Sequence, residues 1–461
     1  MSHAESPAFR SAWPRLGRGL VVLAATAIAA PAVAQWKSDL EACGREALAP
    51  ELRIDACGKV LQAQDVSQAD RALAYNNLGI AWKAKGDLDQ AIANYGKAIA
   101  ADPGQAKVFD NRGVALGAKG DMDAALRDFD HAIELDAGLG RAYEHRALVL
   151  QSQGNKDAAL KDLSEAIRLQ PQNGPAYLER AGLWEERGET AKAIADLDEA
   201  IRLQPDRAEL FVVRGRFFDQ QGDFTRSIAD YDEAIRLNPE LAAAYNNRCN
   251  TWLIKEAYGQ AADDCTMALK LDPALAQAHF NRGVLWVIEG DLSKGRDEFD
   301  QAIRLRPQFA SAYKSRAALN FYSGQYDAAQ ADLAQASTLL RSDPYVAIWR
   351  YLAQARGGHA DAGASELAQS TPATGSAWPA PVVDLYLGRA DPGAVFKAVQ
   401  QGDARIQRDQ QCEAAFYVGE WHLLHHENAQ AVRLFEDAVR NCRKSFSESG
   451  GARAELDRGG H

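Results

Sequence analysis

The chain has 461 residues, 47% hydrophobic and 25% charged, which supplies a buried core and argues against an intrinsically disordered chain. Its formal charge of −11 comes without a concentrated basic stretch, which argues against nucleic acid as a partner. No glycine-rich phosphate loop, G-x-S-x-G elbow or paired-cysteine redox motif occurs, so the sequence reads as non-enzymatic and without a cofactor.

Arg10, Arg15 and Arg18 precede an apolar run from Leu20 to Ala30, and Ala32-Val33-Ala34 gives a small-x-small boundary before Gln35. This pattern predicts a secretory signal peptide over residues 1–34, a mature N-terminus at Gln35 and a periplasmic location. The apolar run is short for a bilayer and no second run of membrane length occurs downstream, so no stable membrane insertion is expected after cleavage. Cleavage removes three Arg and one Glu and takes the charge from −11 to −13. All six cysteines lie beyond that boundary, an even number in a compartment that permits disulfides.

Residues 35–71 read as a helical hairpin that caps the first unit of a repeat array, with Cys43 and Cys57 inside it, since the outer face of a terminal repeat otherwise stays exposed. From Ala72 the chain repeats every 34 residues, with units opening at Ala72, Ala106, Gly140, Gly174, Ala208, Ala242, Ala276 and Ala310 and ending near Asp343. The fourth place holds Tyr75, Phe109, Tyr143, Tyr177, Phe211, Tyr245, His279 and Tyr313. The fifteenth is glycine in every unit except for Glu256, and it ends helix A. Prolines such as Pro103, Pro171 and Pro307 break helix B. These places resemble the tetratricopeptide repeat, whose fold implies an all-α, right-handed α-solenoid of eight helical hairpins over residues 72–343.

Within the repeat, Arg at the seventh place (Arg112 to Arg316) accompanies Asp or Glu at the twenty-third (Asp128 to Asp332) in units two to eight. Both change together in the first unit, to Leu78 and Asn94. An ion pair between helices A and B, or between neighbouring units, is the simplest reading, with a carboxylate-binding ladder as the functional alternative. Cys249 and Cys265 stand at the eighth and twenty-fourth places, which face each other across the hairpin, and predict a disulfide; Cys43 with Cys57 is a second.

After Asp343 the spacing breaks. A helix-like stretch (Tyr345 to Arg356) and a loop (Gln369 to Pro381) lead to a degenerate repeat over residues 412–442, where Cys412 and Cys442 close a third pair at adjoining helix ends. Residues 344–443 form this C-terminal helical region, and 444–461 read as a polar tail. Trp378 to Gly388, Cys412 to Gly419, Ala431 to Val439 and Phe446 resemble the C-terminal region of the NlpI family of periplasmic repeat lipoproteins. That resemblance implies an adaptor that brings peptidoglycan hydrolases together or docks one to a processing protease. A cofactor role in assembly or secretion of an envelope polysaccharide or pilus is the alternative. The lipid-accepting cysteine of that family is missing after the leader here, so no lipid is expected.

On the concave side of such a solenoid, the inward places of units six to eight carry Asn246, Asn250, Leu253, Phe280, Val284, Val287, Phe321 and Tyr322. Phe280, Val284 and Val287 form one apolar stripe that something has to cover. The cover is either a protein or peptide segment from the cell envelope, held through Asn246 and Asn250, or the chain's own C-terminal helices between about residues 380 and 443. A second, acidic wall gathers Glu144, Glu185, Glu186 and Asp219. His422, His425 and His426 lie near Glu420 and Glu427, but His422 takes a packing place and no metal site is expected.

Overall fold

A computed structural model describes residues 32–340, 343–371, 377–399 and 403–459, with only the backbone of residues 32–34. The predicted leader lies outside the described residues except for those last three, which open the first helix. Every described element is helical, and the chain divides after Pro171 into two compact bodies.

The N-terminal body holds α1 (Ala32–Gly44), α2 (Pro50–Gln62), α3 (Gln68–Lys85), α4 (Leu88–Ala101), α5 (Ala106–Lys119), α6 (Met122–Leu135), α7 (Gly140–Ser152) and α8 (Lys156–Leu169). Consecutive helices pair as hairpins. α1 and α2 are joined by the Cys43–Cys57 disulfide, and they bury Trp36, Ala56 and Val60 with Ala74 and Leu78 of α3. Leu78 thus meets an apolar cap where later hairpins carry an arginine, and Asn94 turns back to donate to the Gln90 carbonyl at 2.7 Å. The first hairpin has exchanged a charge pair for contact with its cap.

The C-terminal body begins with five hairpins in the same register: α9 (Gly174–Glu186) with α10 (Thr190–Leu203), α11 (Ala208–Gln220) with α12 (Phe224–Leu237), α13 (Ala242–Ile254) with α14 (Tyr258–Leu271), α15 (Ala276–Glu289) with α16 (Leu292–Leu305), and α17 (Ala310–Tyr322) with α18 (Tyr326–Leu339). It continues through α19 (Pro344–Arg356), α20 (Ala360–Ser370), α21 (Ala380–Tyr386), α22 (Pro392–Lys397), α23 (Ala404–Leu424), α24 (Asn428–Asn441) and α25 (Ser447–Arg458).

Within each hairpin the eighth place of helix A and the twenty-fourth of helix B fill one space. Where helix B brings a ring, helix A has glycine. A Cβ on Gly79, Gly113, Gly215, Gly283 or Gly419 would lie 2.6–2.7 Å from the ring of Tyr95, Phe129, Tyr231, Phe299 or Phe435. Where helix B brings Leu163, Leu197 or Leu333, helix A has Ala147, Ala181 or Ala317. In one hairpin both side chains are cysteines, and the Cys249–Cys265 disulfide occupies the space. Between the glycine–ring and alanine–leucine pairs the summed volume is nearly conserved while its division changes, as close packing requires.

Beside this contact the seventh-place arginines make the expected ion pairs. Arg112 and Arg146 in the N-terminal body, and Arg180, Arg214, Arg248, Arg282 and Arg316 in the C-terminal one, donate to the carboxylate at the twenty-third place of their own hairpin at 2.5–2.9 Å. Arg146, Arg214, Arg248 and Arg316 also reach an aspartate of the preceding hairpin at 2.5–2.7 Å. Those four arginines serve within and between hairpins at once, and their donors are engaged by the fold's own carboxylates.

Two expectations need correction. The register does not break after Asp343: α19 and α20 form a ninth hairpin, with Gly358 at φ 86° in the fifteenth place and Arg350 paired to Glu366 at 2.5 Å in the seventh and twenty-third. Nor are residues 444–461 a polar tail, because α25 folds with Glu448, Ser449, Gly451, Ala452 and Glu455 buried. The expected loop Gln369 to Pro381 is shortened at both ends by α20 and α21, and residues 372–376 lie outside the described ones. The third disulfide, Cys412–Cys442, joins α23 to the end of α24.

Two substitutions check these contacts. Arg214→Leu leaves the buried Asp230 carboxylate without its guanidinium and should lower stability by about 2–3 kcal/mol in denaturant unfolding. Glu256 holds φ 59° at the fifteenth place, where a side chain is strained, and its contact to Arg408 at 3.4 Å is exposed. Glu256→Gly should therefore raise stability by about 1 kcal/mol, read in the same assay.

Candidate functional site

In the C-terminal body, the helix-A face of α13, α15 and α17 carries the predicted apolar stripe, and the structure divides its residues into two groups. Phe280, Val284, Val287 and Asn250 are half-buried. The Phe280 ring packs 5.1 Å from Phe309 and 5.7 Å from Phe299, which anchors its edge while part of its surface faces outward. Val284 and Val287 line a cleft whose other wall is Lys444, Ser445, Phe446 and Ser447.

The second group is already occupied. Phe321 is fully buried, 5.3 Å from Trp349 and 5.4 Å from Tyr326, and Tyr322 is covered by α25. Neither is a free wall for a partner, contrary to expectation. The Phe321 ring is covered by α18 and α19, and the cover of Tyr322 comes from α25, beyond the segment 380–443 expected to supply it. Gly450 and Gly451 make this possible: a Cβ on Gly450 would lie 2.9 Å from the Tyr322 ring, and one on Gly451 2.6 Å from Phe416. The Tyr322 hydroxyl donates to the Ser447 carbonyl, and Arg458 donates to the Tyr322 carbonyl at 2.9 Å, so both ends of α25 are tied to α17.

Leu253 and Asn246 also need correction. Leu253 is buried with Cys249, Cys265 and Leu285, so the disulfide space claims it. Asn246 accepts from Asn281 and donates to Asn247, each at 3.2 Å, which leaves its amide engaged with its neighbours. The second wall is not an open acidic face. Asp219 accepts from the hydroxyls of Ser227, Tyr231 and Thr251 at 2.5–2.9 Å, and Glu185 accepts from Arg216 at 2.9 Å. Glu186 is exposed on α9, and Glu144 is half-buried on α7 in the N-terminal body.

Sequence reading missed two polar clusters. In the N-terminal body, the fully buried Asp110 accepts from Arg141 at 2.5 Å and faces His145 Nδ1 at 2.7 Å. Asn111 links Arg141 to Asn76. Burial pushes the Asp110 carboxyl up, and His145 and Arg141 outweigh it, so the group lies below its ordinary value. The second cluster lies under α25, where Glu413 and Glu420 of α23 face Glu448 and Glu455. Each pair is seven residues apart, two helical turns on one face, and that repeated spacing is the signal that could have found it.

The histidines gather no ligand set. His422 Nδ1 meets Glu427 at 2.5 Å, His425 stacks on Trp421 at 3.8 Å, and His426 takes the positive φ of the fifteenth place. Among the described residues no group of three or more His, Cys, Asp or Glu is placed to hold a metal ion, and no helix is long and apolar enough to cross a membrane.

Family models described as the tetratricopeptide repeat match residues 72–105, 106–138, 144–208 and 213–276. This is a tetratricopeptide-repeat protein. No curated protein matches the chain. Among solved structures, a tetratricopeptide repeat protein from Parabacteroides merdae is 17% identical with a TM-score of 0.47, covering 54% of this chain and 99% of its own. Pseudomonas aeruginosa pilF is 17% identical with a TM-score of 0.41 and covers 46% and 96%. YrrB, described as a TPR protein with an unusual peptide-binding site, is 21% identical with a TM-score of 0.34 and covers 40% and 95%. Here the tetratricopeptide face of the C-terminal body is half open and half filled by its own α25.

The Gly451 contact gives a direct check. Phe416 is held by Trp349, Tyr417 and Phe435 and has nowhere to move. Gly451→Ala should therefore loosen α25 and cost about 1–3 kcal/mol of overpacking, seen as faster amide exchange in α25, although alanine is the better helix former.

Proposed function

We propose that this tetratricopeptide-repeat protein is an exported, non-catalytic scaffold that binds a segment of another envelope protein along α13 and α15. The observation that carries this reading is the row of Phe280, Val284 and Val287. These three apolar side chains on one helix are half-buried, anchored from below, and bordered by the entry to α25. Asn250 lies on the same face of the neighbouring α13 and offers an amide to an incoming backbone. Three disulfides agree with an oxidising compartment, and the leader-like N-terminus agrees with a periplasmic one. Peptidoglycan hydrolases or an envelope processing protease are the partners that the NlpI-like C-terminal motifs suggest.

Site-directed photocrosslinking tests the groove. A photoreactive phenylalanine analogue at position 284, in the cleft, should capture one defined partner from intact envelope, whereas the same group at the exposed position 270 of α14 should not. Phe280→Ala should weaken the isolated complex by about 1–2 kcal/mol in titration calorimetry, the scale for a large side chain at an interface. Equal labelling at both positions, or unchanged affinity after Phe280→Ala, would remove the groove from the interface.

A further inference from the structure

Removing water from a carboxylate is costly unless a cation or donors replace it, and the contact between α25 and its neighbours has too few of either. Glu420 is fully buried; Arg356 of α19 reaches one oxygen at 2.9 Å, and the other has no partner. The same Arg356 must also serve Glu455 at 3.1 Å, which Arg458 approaches from its own helix. Glu448 accepts from the Tyr417 hydroxyl at 2.6 Å and from Trp349. Glu413 accepts from Tyr345 at 3.0 Å and Trp378 at 2.5 Å.

The surrounding elements do not balance this charge. Lys314 of α17 acts on Glu448, yet it is paired to Asp343 at 2.9 Å; Asp409 of α23 acts on Glu413 and is paired to Arg443 at 2.6 Å. Tyr326, Tyr351 and Tyr386 bring neutral hydroxyls toward Arg356 and Glu420. The remaining charges of α25 lie elsewhere, with Arg453 acting on Tyr258 and Asp457 exposed. Six carboxylates thus share four cations, and the shortfall falls on the four glutamates between α23 and α25.

We propose that α25 is a proton-operated cover: it stays seated on Tyr322 and Phe416 while carboxyls of this cluster hold protons, and lifts off as they lose them, baring that aromatic wall. When α25 leaves, Glu448 and Glu455 go with it and Glu413 and Glu420 meet water. With α25 seated, Glu413, Glu420 and Glu448 behave otherwise. Desolvation and the Glu448 charge push Glu413 up to about 7, desolvation and the Glu455 charge push Glu420 up to about 8, and desolvation raises Glu448.

Proton counting sets the direction. Below about 4.5, the ordinary value of an exposed glutamate, both seated and open forms are protonated and pH has no effect. Between there and about 8 the open form has lost protons that the seated form retains, so seating weakens steadily as pH rises. Above that range Glu413 and Glu420 are ionised in both forms, and their penalty stays at its full value.

Amide hydrogen exchange on the full chain at pH 5, 6, 7 and 8.5, corrected for intrinsic rates, tests this. Protection across Ser447–Arg458 should fall about tenfold or more over the series while protection in α13 and α14 holds. The double variant Glu420→Gln, Glu448→Gln removes two titrating groups and should flatten the α25 profile. Constant α25 protection in the native chain, a parallel loss throughout the C-terminal body, or a folded double variant with the native slope would each overturn the proposal. The native-chain series decides the question by itself if the double variant does not fold.

Discussion

Everything else in this protein depends on how closely the two helices of each hairpin approach. That distance is set at one contact, between the eighth place of helix A and the twenty-fourth of helix B, and in the repeat hairpins other than α19–α20 the chain meets it three ways: glycine with a ring, alanine with leucine, or a disulfide. The first two fill nearly the same volume, and Leu253 packs beside the disulfide. Once the helices are that close, an arginine one residue before the contact reaches the carboxylate one residue before its mate, and at Arg146, Arg214, Arg248 and Arg316 a remaining nitrogen reaches back to the preceding hairpin. Apolar packing fixes the geometry and the ion pair reads it out. This order matters energetically, because a partly buried pair contributes little by itself and costs several kcal/mol when one member is removed.

The repetition of this contact made most of the fold legible. A 34-residue period with glycine at the turn survives many substitutions, as Glu256 shows by accepting φ 59° to keep the register. The ninth hairpin was hidden for a specific reason. Its fourth place is Ala347 and its eighth is Tyr351, so bulk and smallness are exchanged, and a search for an aromatic followed by a small residue passes over it. Tyr351 is tolerated there because its ring packs 4.7 Å from Tyr386 of α21, an element with no counterpart in the regular hairpins. The charge pair, Arg350 with Glu366, persisted where the apolar signature did not.

The candidate site was legible in its geometry and not in its occupancy. Helical spacing places Phe280, Val284, Val287 and Tyr322 toward one face, but nothing in that spacing tells which of them a segment more than a hundred residues later will cover. Asp219 shows the same limit for charge. Its place on helix A faces inward, yet Ser227 and Tyr231 of helix B and Thr251 of the next hairpin converge on it, turning an expected wall of negative charge into an internal hydrogen-bond node. Tertiary partners decide whether an inward-facing side chain is a surface or a joint.

The C-terminal helix is where these considerations meet. At 12 residues, with Gly450 and Gly451 in its first half, it has little intrinsic tendency to form, and an isolated helix of that length is marginal in water. Its order therefore comes from what it sits on. The glycines that weaken it are the ones that admit the Tyr322 and Phe416 rings, so the sequence cannot raise its propensity without losing its seat. Burying Glu448 and Glu455 against Glu413 and Glu420 subtracts further from that seat. An element whose folding is borrowed from its docking, and whose docking carries a charge penalty, opens at a lower free energy than the disulfide-bonded hairpins beneath it. It is the part of the C-terminal body whose position a change of a few kcal/mol can reverse, and the surface it leaves behind is aromatic.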